Sequence, residues 1–398
     1  MLLGKVPYMS ESLSFGKIAG VRVGANWSLL VVFVLIAWLL AGSRLPLLYP
    51  GLDQTAYWAT ATLTTFIFFA GLTAHELGHA VVARREGIDV EGITLWLFGG
   101  VAKLRGDSLS PSSELRIALA GPAVSIFLTG AFAAAAATSS AAGASHLVID
   151  MFSWLWRINL VLALFNMVPA FPLDGGRVLR ALVWRFRGKV FATKVAAWGG
   201  RAFGYGSVGL GTMMFALEAR PDGIWLALIG WFVAEAATRE RAGVILKDAL
   251  DGLTVRDLMV PDPPCAPAWI TLDVLAGGWA RENRATTFPL VRFDGSAAGI
   301  LTLDAVKTIS PARRSEVRAE TVARRVDQLP TATPDEPAIA LLDRMAGRSK
   351  PGALVLDGDR VVGLVTPPDI DRALEPAALL APDRRADLEG LCRTDETG

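Results

Sequence analysis

Apolar residues in this chain gather into six long runs separated by short polar segments. With loose ends, the runs are Trp27 to Ala41, Tyr57 to Ala83, Leu115 to Ala137, Leu147 to Val168, Val195 to Leu217 and Ile224 to Thr238. A bilayer core takes about 20 helical residues, so the pattern predicts about six transmembrane helices, the first and last short. Between the second and third runs, Gly92 to Leu104 carries β-branched and aromatic residues around Gly99-Gly100, which predicts a short β-hairpin close to the membrane surface. After Thr238 the chain turns polar; Arg239 to Asp248 reads as a linker helix, and a soluble α/β part begins near Leu253. There Thr254-Val255-Arg256-Asp257-Leu258-Met259 leads to Phe288-Pro289-Leu290-Val291 and Gly299-Ile300-Leu301-Thr302, and Thr321-Val322 leads to Ala353-Leu354-Val355-Leu356 and Gly363-Leu364-Val365-Thr366. This is an internal repeat of about sixty residues.

Composition agrees with the pattern. The chain has 398 residues, 52% of them hydrophobic, and a mean hydropathy of +0.42, well above a soluble globular protein. The formal net charge is only +1, so no basic field argues for nucleic acid as a partner. What matters is where the charges sit. The N-terminal arm, the segment 84–114 and the segment 170–194 together hold thirteen lysines and arginines, whereas the other three loops hold Arg44, none, and Arg220. The positive-inside rule then places the N terminus, the loops after the second and fourth runs and the whole C-terminal part in the cytoplasm. No apolar core with a small-residue cleavage site occurs in the first 25 residues, so no removable signal peptide is expected. Cys265 and Cys392 are the only cysteines, which excludes a disulfide framework and suits a reducing compartment.

Inside the second run stands Thr73-Ala74-His75-Glu76-Leu77-Gly78-His79-Ala80, with two of the three histidines of the chain. On a helix, His75 and His79 share one face, where two imidazole nitrogens can bind one zinc ion and Glu76 can reach its water. The third histidine, His146, falls in an outer loop and is not expected to join them. Zinc held by two histidines needs a third protein ligand and, for catalysis, an open position. Asp174 is the candidate in a comparably apolar setting, in Asn166-Met167-Val168-Pro169-Ala170-Phe171-Pro172-Leu173-Asp174-Gly175-Gly176, near the cytoplasmic end of the fourth run. An acid at that depth is expensive unless paired or metal-bound. Pro169 and Pro172 break the helix, and irregular backbone at membrane depth is tolerated inside protein or beside a wet cavity. Asn166 can point into that cavity toward a substrate carbonyl or oxyanion, or form an interhelical hydrogen bond.

Together, His75-Glu76-Leu77-Gly78-His79 and Asn166-x-x-Pro169-x-x-Pro172-Leu173-Asp174-Gly175-Gly176 resemble the site-2 protease family of intramembrane zinc metalloproteases over roughly residues 15–240. The resemblance implies a six-span core, one zinc per chain held by His75, His79 and Asp174, and Glu76 as general base, with Asn166 as a second candidate in the chemistry. In that family Gly121-Pro122 is usually followed three residues later by Asn; here Ser125 stands there. The hairpin edge near the zinc would hold a substrate extended, which exposes scissile bonds that a helix hides. The two soluble repeats resemble a tandem pair of cystathionine-β-synthase-type (CBS) domains, which implies an adenine nucleotide as a further cofactor. Thr366-Pro367-Pro368-Asp369 has the spacing expected of its ribose-binding residues, whereas Thr302-Leu303-Asp304 places the acid one position early. A docking or homodimerisation module without nucleotide is the other reading of the pair.

The expected fold is thus a polytopic α-helical membrane protein, about six transmembrane helices with a short membrane-associated β-hairpin, plus a soluble α/β tandem CBS domain. Its domains are residues 1–240 (intramembrane zinc metalloprotease), 241–252 (linker), 253–312 and 313–380 (CBS repeats) and 381–398 (flexible tail). The expected function is an intramembrane zinc endopeptidase of the plasma membrane, in contact with membrane lipid and regulated through its CBS pair. The resemblance implies membrane-protein substrates such as anti-sigma factors or membrane-tethered transcription factors. A divalent-metal transporter and a non-catalytic nucleotide-sensing membrane protein are the alternatives.

Overall fold

A computed structural model of the chain describes residues 12–96, 99–105, 110–283, 285–345 and 352–380. The expected tail 381–398 and the hairpin tip at 97–98 lie outside them. The chain forms two compact units, which divide between Val244 and Ile245.

The first unit begins with β1 (Leu13–Ile18) and β2 (Val21–Ala25), followed by α1 (Ser28–Leu39), which continues through a π turn at Leu40–Arg44 into the short α2 (Leu45–Leu48). Then come α3 (Gln54–Arg85), β3 (Asp89–Trp96), β4 (Gly99–Arg105), α4 (Pro111–Ala141), α5 (His146–Asn166), α6 (Asp174–Arg187), α7 (Lys189–Glu218) and α8 (Asp222–Ala249). Among the described residues, four stretches are long and apolar enough to cross a membrane: Ser28–Leu48, α3, α4 and α5. The fifth and sixth apolar runs form α7 and α8, which length and composition alone do not single out. Many large apolar side chains face outward, among them Phe127, Val161, Leu164, Trp198 and Trp225. In water such a surface would be a gross liability, and against lipid it is the favourable one. The chain is a membrane protein.

Strands β1 to β4 make one sheet in that order. The N-terminal pair β1 and β2 is not among the elements expected from the sequence. β1 and β2 are an antiparallel hairpin, β2 runs parallel to β3 with Arg22 beside Gly92 and Ala25 beside Leu95, and β3 returns antiparallel into β4. Val21 and Ala25 of β2 and Ile93 and Leu95 of β3 pack on Ala80 and Ala83 of α3 and Ile117 of α4. Each of the larger side chains contributes about 1.5–3 kcal/mol by leaving water. The sheet is therefore anchored to the end of the helix that carries the histidines. Arg84 adds a tether there, donating to the Ala19 carbonyl in the β1–β2 turn at 2.9 Å.

Helix α4 starts where Ser110 accepts a hydrogen bond from the Ser113 amide and Pro111 takes the first turn, a favourable opening because proline needs no amide partner there. Along α7 and α8 small residues meet: a Cβ on Gly204 would run into Ala234 and the Gly230 carbonyl, and one on Gly211 into Ala227 and the Gly223 carbonyl. Close backbone contact of this kind is how membrane helices gain packing where the hydrophobic effect is silent.

The second unit holds two four-stranded sheets. Its strands are β5 (Val260–Pro261), β6 (Ala266–Pro267), β7 (Thr287–Val291), β8 (Ala297–Thr302), β9 (Arg324–Arg325), β10 (Thr331–Ala332), β11 (Ala353–Asp357) and β12 (Arg360–Val365). The sheets run β6-β7-β8-β9 and β10-β11-β12-β5, each with one parallel and two antiparallel pairings. The repeat is therefore visible in topology as well as in sequence. Each sheet takes its last strand from the other half: β5 precedes the first repeat's core yet pairs with β12, while β9 pairs back onto β8.

Candidate metal centre

His75 and His79 lie four residues apart on α3, on the face buried against α4, and are 2% and 7% exposed. Their rings meet edge to face with centroids 4.9 Å apart. Asp174 arrives from a different helix than the sequence implied. α5 ends at Asn166, residues 167–173 form an irregular connection, and Asp174 opens α6. Its carboxylate thus sits at a helix N-terminus, where the backbone dipole favours negative charge. Gly175 and Gly176 make that turn feasible, since a Cβ on either would overlap the backbone of residues 167–171.

The three side chains converge. Asp174 Oδ2 is 3.3 Å from His75 Nε2 and 3.2 Å from His79 Nε2, and the two Nε2 atoms are 3.2 Å apart. The outer nitrogens are occupied elsewhere: His79 Nδ1 lies 2.7 Å from the Ile117 carbonyl oxygen and His75 Nδ1 2.8 Å from Ser125 Oγ. A carbonyl oxygen only accepts, so His79 carries its proton on Nδ1 and presents a lone pair at Nε2. The Ser125 hydroxyl can accept from His75 Nδ1, and in that tautomer His75 also presents a lone pair at Nε2. Two nitrogen lone pairs and a carboxylate oxygen then point at one another, an arrangement that repels unless a cation stands among them. Ligand atoms about 2.0–2.1 Å from a tetrahedral zinc stand roughly 3.3–3.4 Å apart, and the observed separations fit that ion. The outer bonds are of the kind that fixes tautomer and ring orientation in metal sites.

Three features of the setting were not legible as function in the sequence. Gly121 of α4 lies under both imidazoles, and a Cβ there would overlap His79 Nε2 and His75 Nε2. Its signal in the sequence was Gly121-Pro122 as part of the family pattern, with no role attached to the glycine. Gly100 of β4 lies against Glu76: a Cβ there would come within 2.6 Å of Glu76 Cδ. The strand backbone therefore passes directly over the side chain that follows the first histidine, and β4 is an edge of its sheet. Ser125, noted only as a departure from a family pattern, is fully buried and holds His75.

Asn166 lies at the last residue of α5, and its Nδ2 donates to the Leu162 carbonyl of its own helix at 3.0 Å. Buried Asn159, two turns earlier, does likewise to Leu155 at 2.8 Å. His146 opens α5 and stacks on Tyr49 at 5.9 Å between ring centroids, apart from the other histidines. In the second unit Asp369 is 7% exposed, and its Oδ2 accepts from the Thr366 amide at 2.9 Å and from Thr366 Oγ1 at 2.5 Å, while Arg372 lies 3.2 Å from Oδ1. Thr254 and Asp257 repeat the same bonds at 2.8 and 2.7 Å. The Thr-x-x-Asp spacing therefore serves as a helix cap in both places.

Residues 63–147 and 137–205 match the sequence pattern of Peptidase family M50, and residues 321–376 match that of the CBS domain. The chain is 40% identical over 379 residues to Rip3 of Mycobacterium tuberculosis, a protein named as a zinc metalloprotease, covering 94% of this chain and 96% of that one. To a zinc metalloprotease of Methanocaldococcus jannaschii it is 26% identical over 378 residues, 92% of this chain and 97% of that one. Among solved structures, a site-2 protease from Methanocaldococcus jannaschii aligns with 57% of this chain and 94% of its own at 28% identity and a TM-score of 0.39.

Proposed function

Because this chain belongs to peptidase family M50, the site-2 protease family of zinc metalloproteases, we propose that it is an endopeptidase that cuts transmembrane or membrane-adjacent segments of other proteins. One observation carries the reading: three ligand atoms of His75, His79 and Asp174 converge within 4.8 Å of one another, among helices apolar enough to span a bilayer, with Glu76 next to them. His75, His79 and Asp174 hold the zinc. When bound, zinc supplies Lewis acidity that polarises the scissile carbonyl and makes water more acidic.

The residues of the chain do the rest. Glu76 takes a proton from the attacking water and delivers it to the leaving amine. Ser125 and the Ile117 carbonyl keep the imidazoles oriented throughout. The backbone of β4 beside Glu76 offers an edge to which an extended substrate strand can add, presenting its peptide bond to the site. Asn166 retains a second N–H after its bond to Leu162 and is the oxyanion donor we assign. A transporter would need a polar path along several helices; buried Thr64, Thr65 and Asn159 instead donate to carbonyls of their own helices.

In the same reading, the N terminus and CBS unit are cytoplasmic and the substrates are membrane-tethered regulators of the anti-sigma or transcription-factor kind. The CBS pair regulates the enzyme, and adenine nucleotide binding there requires Asp369 to exchange its bonds to Thr366 for a ribose. The test is cleavage of tethered membrane-segment peptides by the purified full chain in detergent, wild type against Glu76→Gln. Cleavage that the variant loses while keeping its zinc is the expected result. Equal activity of the two removes Glu76 from the reaction; zinc-loaded wild type that cuts no candidate segment overturns the protease reading.

A further inference from the structure

Glu114 on α4 is fully buried and Arg180 on α6 nearly so, at 0% and 7% exposure. Arg180 Nε donates to Glu114 Oε1 at 2.7 Å and Nη2 bonds the same oxygen. Arg177 Nε stands 3.9 Å from it, and Glu240 Oε1 of α8 lies 3.4 Å from Arg180 Nη1. The guanidinium carbon also lies 5.1 Å from the centre of the Phe171 ring, which is itself 1% exposed. The carboxylate is under-served in return, with Glu114 Oε2 finding no partner among the described residues.

An ion pair this dry is a poor source of stability, because desolvation of the two ions offsets most of their attraction, and apolar residues of the same volume would serve folding as well. What the pair supplies is geometry. On α4, residues 114, 117, 121 and 125 share one face, and that stripe holds in order Glu114, the Ile117 carbonyl on His79, Gly121 beneath both rings and Ser125 on His75. On α6 the metal ligand Asp174 lies six residues before Arg180, about 9 Å along the axis, while Glu114 precedes Gly121 by seven residues, about 10 Å. α4 and α6 are therefore joined directly by the ion pair, and about 9–10 Å away α4 meets the Asp174 level through the two histidines of α3 that Ser125 and Ile117 hold. Arg180 further reaches Phe171 on the near side of the Asp174 turn, so one side chain touches both flanks of the ligand.

We propose that the Glu114–Arg180 pair is the positioning device of the metal centre: it fixes the rotation and height of α6, so that Asp174 Oδ2 meets the two histidines already set by α4. Apolar packing alone would let α6 slide or turn on α4, and a charged fork on a buried carboxylate does not. The proposal rests on the reading of His75, His79 and Asp174 as zinc ligands.

The test is zinc affinity, measured by chelator competition on the full chain in detergent, together with thermal unfolding. Replacing the pair by apolar residues, Glu114→Leu with Arg180→Met, is expected to leave the unfolding temperature near that of wild type and to weaken zinc binding about 10- to 100-fold, the range for second-layer partners of metal ligands. Cleavage should return at saturating zinc. A folded double variant with wild-type zinc affinity overturns the proposal. Should the double variant fail to fold, Arg180→Lys decides: it keeps the charge and loses the fork, and unchanged zinc affinity in it overturns the proposal equally. Asp174→Ala in parallel separates this from the premise. If Asp174→Ala binds zinc normally, the ligand assignment has failed; if it loses zinc while the Glu114 and Arg180 variants do not, only the positioning role has.

Discussion

Ser125 Oγ lies 2.8 Å from His75 Nδ1, on the opposite side of the imidazole from the nitrogen that faces Asp174. A buried hydroxyl in the middle of α4 thereby holds the His75 ring with its Nε2 toward the site. Ser125→Ala removes that partner without adding volume. Zinc affinity should fall about 10- to 100-fold with little change in folding, and chelator competition would read it. An affinity equal to wild type would mean that packing alone holds the ring.

Gly121 sets the floor of the site. Gly121→Ala inserts a methyl where the two Nε2 atoms now stand. Alanine favours helix by about 1 kcal/mol over glycine, so α4 itself should not suffer. The expected outcome is a folded protein with far less than one zinc per chain by elemental analysis. Full zinc occupancy would show that the rings have room to retreat.

Gly100→Ala separates the base from the metal. Its methyl would meet Glu76 Cδ at 2.6 Å and must push either the side chain or β4 aside. Zinc content should stay at wild-type level while single-turnover cleavage drops about 10²-fold or more, the scale of a displaced general base. Unchanged cleavage would mean that Glu76 works from a position clear of the strand.

Asn166→Ala probes the oxyanion assignment. Loss of one such donor lowers kcat about 10²- to 10³-fold, and zinc content should not move. A decrease below about tenfold would return Asn166 to its bond with Leu162 as its whole role.

Asp369→Ala tests the second unit. The carboxylate caps the helix that begins at Pro367, and loss of a cap costs about 1 kcal/mol, so the unfolding transition of this unit should shift to lower temperature. If adenine nucleotides raise that transition in wild type, the shift should vanish in the variant. A nucleotide shift that survives would place the binding site away from Asp369.

The sequence alone carried the membrane class and the repeated soluble unit, and it singled out His75, Glu76, His79 and Asp174 as the candidate centre. Each of these is a matter of composition or short spacing. A charged group in an apolar run is conspicuous because burying it is expensive, and two histidines four apart face one way on any helix. Where sequence reading fell short, the cause was non-local. β1 is exposed along its whole length, and the apolar positions Val21 and Ala25 of β2 become meaningful once Ala80, Ala83 and Ile117 cover them. That β5 and β9 pair outside their own repeats is decided by hydrogen bonds between halves. Gly121 and Gly100 act by having no side chain, so their importance lies entirely in what approaches them. Glu114 and Arg180 stand sixty-six residues apart and read as ordinary charges at helix ends until the fold closes them on each other. Residue chemistry proposed a metal; tertiary packing alone brought Asp174 to within 3.3 Å of both histidines, because convergence of side chains from separate helices depends on distances that chain order does not encode.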